Sequence, residues 1–130
     1  MPDAVQPYAV GQRDARPWGE WMVIDVGAGF VVKRITVRPG GRLSLQRHRH
    51  RAEQWVVVAG VALVTRGDAV FTLANGEAAR IAPGETHRVE NQGTHDVVFI
   101  EVQTGSLLSE DDIEWLDDQY GRPTIAQSSQ

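Results

Sequence analysis

Cysteine is absent from all 130 residues, which removes disulfides, thiolate metal ligands and thiol nucleophiles together and suits a reducing compartment without requiring one. Long apolar runs are missing too. The richest, WVVVAGVALV, is short and broken by Gly60, well below the roughly 20 residues of a spanning helix. The opening MPDAVQPYAVGQRDARPWG has no basic segment leading into an apolar core, so no secretory signal is expected and the cytoplasm is the expected location. Positive charge is not in excess: Lys+Arg 13 against Asp+Glu 17 gives a net charge of -4, which argues against a nucleic-acid or membrane partner and makes any anion site local. The length fits one compact domain and leaves no room for a second catalytic one.

What is present reads as β-structure. From Phe30 to Thr104, β-branched runs (FVVKRITV, RLSLQRH, QWVVVAGVALVT, AVFTLA, AARIA, HRVEN, DVVFIEVQ) alternate with the turn signals PGG, RGD, NG, PGE and NQG. Turns this closely spaced predict an antiparallel sandwich or barrel rather than βαβ units. One short closing helix is expected, capped by Ser109, with Asp112 in an acidic capping box and Ile113 and Leu116 on one face. Its acids Glu110, Asp111 and Asp112 fit a helix N-terminus without further purpose.

In an extended strand alternate side chains share a face, so Gln46 and His48 point one way and Arg47 the other. A turn after His50 brings Glu53 back to the same pocket, backed by Trp55 and Val57. His87 follows a second Pro-Gly turn. Gln46, His48, Glu53 and His87 thus form a mixed N/O donor set that suits a divalent cation and leaves positions open for water or substrate. The competing reading is plain: isolated histidines are common on surfaces and in satisfied cores. The arginine run has no interleaved aromatics for base stacking. Arg47 and Arg49 belong outside, and Arg51 is best placed to reach a pocket anion. On FVVKRITV, Lys33 shares the face of Ile35 and Val37, while Arg34 faces out. Glu101 and Gln103 alternate with Ile100 and Val102, as a strand with one polar side would show, and a cavity-facing or a solvent-facing side explains this equally well.

The pattern Gly40-x5-Gln46-x-His48-x4-Glu53-x6-Gly60 resembles the first motif of the cupin superfamily, with glutamine in place of its usual first histidine, and Gly84-x2-His87-x3-Asn91 resembles the core of the second. Finer segments narrow the likeness: RPWG at Arg16, VKRI at Val32, PGGRLSLQRH at Pro39, HRVEN at His87, IEVQTG at Ile100, EDDI at Glu110 and YGR at Tyr120. Together they resemble the type II mannose-6-phosphate isomerase domain, which also forms the C-terminal part of mannose-1-phosphate guanylyltransferase/isomerases. Two departures stand out: Gln54 where the family commonly has histidine, and Pro83 one place later than usual.

The resemblance implies an all-β fold, a double-stranded β-helix or jelly-roll barrel with a short C-terminal helix, over residues 16–122, flanked by an N-terminal extension (1–15) and a polar tail (123–130). It implies a metal-dependent isomerase interconverting mannose 6-phosphate and fructose 6-phosphate through an enediol, in GDP-mannose and polysaccharide biosynthesis, with no guanylyltransferase domain. Gln46, His48, Glu53 and His87 are the expected metal ligands, with Zn first and Mn, Co, Fe or Ni as alternatives. Lys33 and Glu101 are the expected proton-transfer residues. Arg51, Arg88 and Arg122 are the expected phosphate contacts. A homodimer with a small sugar-phosphate partner is expected. The alternative is a non-catalytic cupin that binds a sugar phosphate or another small ligand. Trp18, Trp21 and Trp115 are expected at the barrel ends or in an interface.

Overall fold

The computed structural model describes residues 8–117. Eleven strands run β1 (Arg13–Arg16), β2 (Gly19–Gly27), β3 (Phe30–Val37), β4 (Leu45–His48), β5 (Arg51–Ala59), β6 (Ala62–Arg66), β7 (Ala69–Leu73), β8 (Ala78–Ile81), β9 (His87–Glu90), β10 (Val97–Gly105) and β11 (Ile113–Asp117), with one 3-10 turn at Glu110–Asp112. They form two antiparallel sheets, ordered β1-β2-β3-β10-β5-β8 and β11-β4-β9-β6-β7, the double-stranded β-helix arrangement. The inner faces enclose a core that includes Trp21, Val23, Val31, Ile35, Trp55, Val57, Val64, Ile81, Val89 and Phe99. Burying a side chain such as Phe99, 1% exposed, contributes roughly 2–3 kcal/mol.

Side-chain alternation sets which residues reach that interior. On β5 the buried set is Arg51, Glu53, Trp55 and Val57, while Gln54, Val56 and Val58 are exposed. On β10, Phe99, Glu101 and Gln103 are buried between half-buried Val98, Ile100 and Val102. The turns use the residues that their geometry requires. Pro83-Gly84 closes with Glu85 N donating to Ala82 O at 3.1 Å, and Gly84 takes φ +81°, the left-handed position of a type II turn. Gly19 answers a different need: a Cβ there would lie 1.9 Å from the carbonyl oxygen of Thr36. Only glycine lets β2 start so close to β3.

Several elements differ from the sequence expectation. The run QWVVVAGVALVT splits at Gly60 into β5 and β6, and RLSLQRH shortens to β4, with Arg42 making only an isolated bridge to Glu90. As a result both Leu43 and Ser44 line the interior, against simple alternation. Strands β1 and β2 precede the region read as β, although Trp21 and Val23 alternate with Glu20 and Met22 in the pattern of a strand.

The closing helix is a single 3-10 turn. Ser109 does cap it, its Oγ accepting from Asp111 N at 3.1 Å, but Ile113 and its followers pair with β4 as β11. Two apolar positions cannot hold a helix against the hydrogen bonds and burial that the open edge of β4 offers. Asp112 does not reach back as a capping box would. Its carboxylate accepts from Arg49 N (3.2 Å) and His50 N (3.0 Å), tying the bend between β4 and β5. No helix of the described residues is long and apolar enough to cross a membrane.

Candidate metal centre

His48 ends β4, Arg51 begins β5, and alternation carries Glu53 and Trp55 inward behind them. The second sheet supplies His87 as the first residue of β9, directly opposite Gln46 in the β4–β9 register. The Pro83-Gly84 turn is fastened to the same strand, since Gly84 N donates to His48 O at 2.6 Å. The later proline therefore leaves His87 facing the site. Gln54 is exposed on the far side of β5, so its departure from the family pattern does not reach the pocket.

One ligand atom from each of His48, Glu53 and His87 lies within 4.8 Å of the others, and all three residues are buried. His48 Nδ1 stands 3.4 Å from Glu53 Oε2, and His87 Nε2 stands 3.9 Å from Glu53 Oε1. His87 Nδ1 is 2.9 Å from the carbonyl of Glu85, a bond in which it must donate, so its Nε2 lone pair is left for the pocket. Arg51 packs against the cluster: Nε and NH2 each lie 3.0 Å from Glu53 Oε2, and NH2 donates to His48 Nε2 at 2.8 Å.

The electrostatics favour ligand chemistry. Burial pushes His48 down to about 3, against the pull of Glu53 and with help from Arg51 and His87. Burial also lowers His87. Both imidazoles are neutral at ordinary pH, the Nε2 lone pair of His87 turned to the pocket and that of His48 accepting from Arg51. Burial works against ionisation of Glu53, but Arg51, His48 and His87 outweigh it and hold the carboxyl well below the usual range. Two neutral imidazoles and one ionised carboxylate, with the Gln46 side chain lining the same cavity, make a donor set that fits a divalent metal ion. The chemistry of these donors does not distinguish Zn from Mn, Co, Fe or Ni.

A proton-bearing network adjoins the cluster. Trp55 Nε1 donates to Glu53 Oε1 (3.0 Å) and Glu101 Oε1 (3.1 Å), and Gln103 Nε2 donates to Glu101 Oε2 at 2.6 Å. Burial, then the charge of Glu53, push Glu101 up to about 8 against Lys33 and Arg51, so it keeps its proton at neutral pH. Lys33 is buried and faces inward while Arg34 is exposed, as the alternation predicts. Its Nζ sits 4.3 Å from the ring centre of Tyr8 and 4.1 Å from that of Trp21, and pairs with Glu110 Oε2 at 3.2 Å. Tyr8 OH donates to the same Glu110 oxygen.

Arg88 lines the cavity and lies 3.9 Å from Glu90. Arg122, with the rest of YGR, lies outside the described residues. Arg47 and Arg49 face outward and both pair with Glu114 of β11. Trp18, Trp21 and Trp115 line the cavity, Trp21 from β2, Trp115 from β11 and Trp18 from the link between β1 and β2. Glu110, read as a helix-terminal acid, in fact reaches Lys33. Tyr8 and Glu110 are separated by 102 positions, and no local pattern signals that they meet.

Comparison with known proteins identifies the family. The family model described as Mannose-6-phosphate isomerase C-terminal matches residues 5–118. Xanthan biosynthesis protein XanB of Xanthomonas campestris pv. campestris is 55% identical over 107 residues, 82% of this chain and 23% of that protein. Alginate biosynthesis protein AlgA of Pseudomonas aeruginosa is 52% identical over 107 residues, 82% of this chain and 22% of that protein. The chain thus spans about a quarter of the length of these relatives. Among solved structures, a protein with a double-stranded β-helix domain from Klebsiella pneumoniae superposes with a TM-score of 0.66 at 23% identity, covering 75% of this chain and 83% of that one, which supports the fold. By its sequence, its barrel and its relatives, the chain belongs to the cupin family of mannose-6-phosphate isomerase C-terminal domains.

Proposed function

We propose that this domain is a divalent-metal-dependent aldose-ketose isomerase interconverting mannose 6-phosphate and fructose 6-phosphate. The observation that carries the reading is the buried His48–Glu53–His87 cluster at a cavity, in a chain of this family. Isomerisation moves a proton between C2 and C1 through an enediol, so the site must steady negative charge on oxygen and handle one proton. A metal held by His48, Glu53 and His87, with Gln46 as a fourth donor and Zn the first choice, would supply the Lewis acidity.

Proton transfer is assigned to Glu101 and Lys33, which line the cavity together with the ligands. Glu101 enters the reaction as the acid member, since it holds its proton at neutral pH. Lys33 Nζ, held beside Tyr8, Trp21 and Glu110, is the other member of the pair and takes up the substrate proton in its amine form. Arg88, with Arg51 and Arg122, supplies charge for the phosphate. A homodimer in the cytoplasm, with a sugar phosphate as its partner and no nucleic acid or membrane, completes the reading.

The test is a coupled assay of metal-reconstituted protein with mannose 6-phosphate, monitoring fructose 6-phosphate. Metal-dependent turnover is expected. Binding of the sugar phosphate with no isomerisation across several divalent metals would overturn the enzyme reading and leave a non-catalytic sugar-phosphate-binding cupin.

A further inference from the structure

We propose that Arg51 is a resident cation that competes with the metal: its guanidinium holds Glu53 and His48 in the metal-free protein, and it sets how tightly the site binds a divalent ion. The inference rests on the metal-site reading above and adds a residue that limits affinity instead of conferring it.

The contacts are specific. Arg51 Nε and NH2 both reach Glu53 Oε2 at 3.0 Å, and NH2 reaches His48 Nε2 at 2.8 Å, so one buried cation engages lone pairs on two of the three ligands. The guanidinium never gives up its proton, so it can only donate to these acceptors, and its positive charge stands where a second cation would have to enter. Arg51 is 4% exposed, which leaves its charge poorly screened by solvent. Its third contact, from NH1 to the carbonyl of Ser109, is long at 3.5 Å.

Each ligand has a contact besides Arg51: Glu53 Oε1 accepts from Trp55 Nε1, His87 Nδ1 donates to the Glu85 carbonyl, and the His48 ring has its Nδ1 3.4 Å from Glu53 Oε2 and packs 4.9 Å from the His87 ring. Removing the guanidinium therefore lifts a repulsion without dismantling the donor set. Losing a scaffold would have the opposite sign.

The experiment is calorimetric titration of Mn²⁺ into chelator-treated wild type, Arg51→Met and Arg51→Lys. Arg51→Met, which replaces the stem and removes the charge, is expected to bind at least about tenfold more tightly, while Arg51→Lys, which keeps the charge, stays nearer to wild type. The Met variant should also melt lower when metal-free and gain more on loading. Equal or weaker binding by a folded Met variant overturns the proposal while leaving the metal site standing. Absence of binding in both wild type and the Met variant overturns the metal reading with it. Should the Met variant fail to fold, the Arg51 Nε–H resonance of wild type decides: it moves on Zn²⁺ loading if the guanidinium is displaced, and an unmoved resonance overturns the proposal.

Discussion

The unusual charge states inside the barrel make the metal-free protein's stability depend on pH in a way that one substitution should alter. Glu101 is raised from 4.5 to about 8 by burial and by Glu53, so between these values the folded chain holds a proton that the unfolded chain has lost. Stability must then fall as pH rises through that window, by up to about 1.4 kcal/mol per pH unit. His48, lowered from 6.5 to about 3, and His87, also lowered, act in the opposite direction. Below pH 6.5 the unfolded chain takes up protons that the buried imidazoles refuse, so stability falls as pH drops. Below 6.5 His48 offsets the carboxyl and the lowering of His87 adds to the side of His48, and above 6.5 the carboxyl acts alone. A maximum near pH 6.5 follows, with a loss of about 2 kcal/mol by pH 9, on the order of 5–10 °C in Tm for a domain of this size. Thermal melts of chelator-treated protein from pH 5 to 9 should show this peak, and Glu101→Gln should level the alkaline side alone. An alkaline decline that persists unchanged in Glu101→Gln would refute the assignment of the proton to Glu101.

Further perturbations reach other parts of the structure. Glu110→Ala removes the partner of buried Lys33, but Lys33 keeps its two aromatic faces and Glu110 is partly exposed, so a loss of about 2 kcal/mol is expected in urea unfolding. Phe99→Ala opens the core between the sheets and should cost about 3–5 kcal/mol by the same measurement. Gly19→Ala, whose Cβ would meet the Thr36 carbonyl, should destabilise far more than Gly84→Ala, which meets no atom and pays only for the left-handed backbone, about 1–2 kcal/mol. Comparable losses for the two glycines would contradict the close approach of β2 to β3.

Much of the site was legible because β-structure writes its faces with a period of two. Lys33 inside and Arg34 outside, Gln46 with His48, Glu53 with Trp55, and Glu101 with Gln103 all follow from alternation. The same parity places Arg51 beside Glu53. What it does not supply is distance, so the contacts of Arg51 with Glu53 and His48 were not legible. Contacts between remote segments left no local trace. Lys33 meets Glu110 across 77 positions, and β11 forms because β4 has an open edge, a tertiary circumstance that the capping pattern at Ser109 could not reveal. The aromatic lining was missed for a related reason: Trp18 and Trp21 belong to a segment whose turns are less marked than those after Phe30.

The central claim is that His48, Glu53 and His87 together hold one divalent ion, and the direct measurement is the metal content of wild type, His87→Ala and Glu53→Ala after loading and dialysis. About one ion per chain is expected for wild type and close to none for either variant, with the β-sheet circular dichroism retained. Unchanged metal content in both variants would contradict the claim.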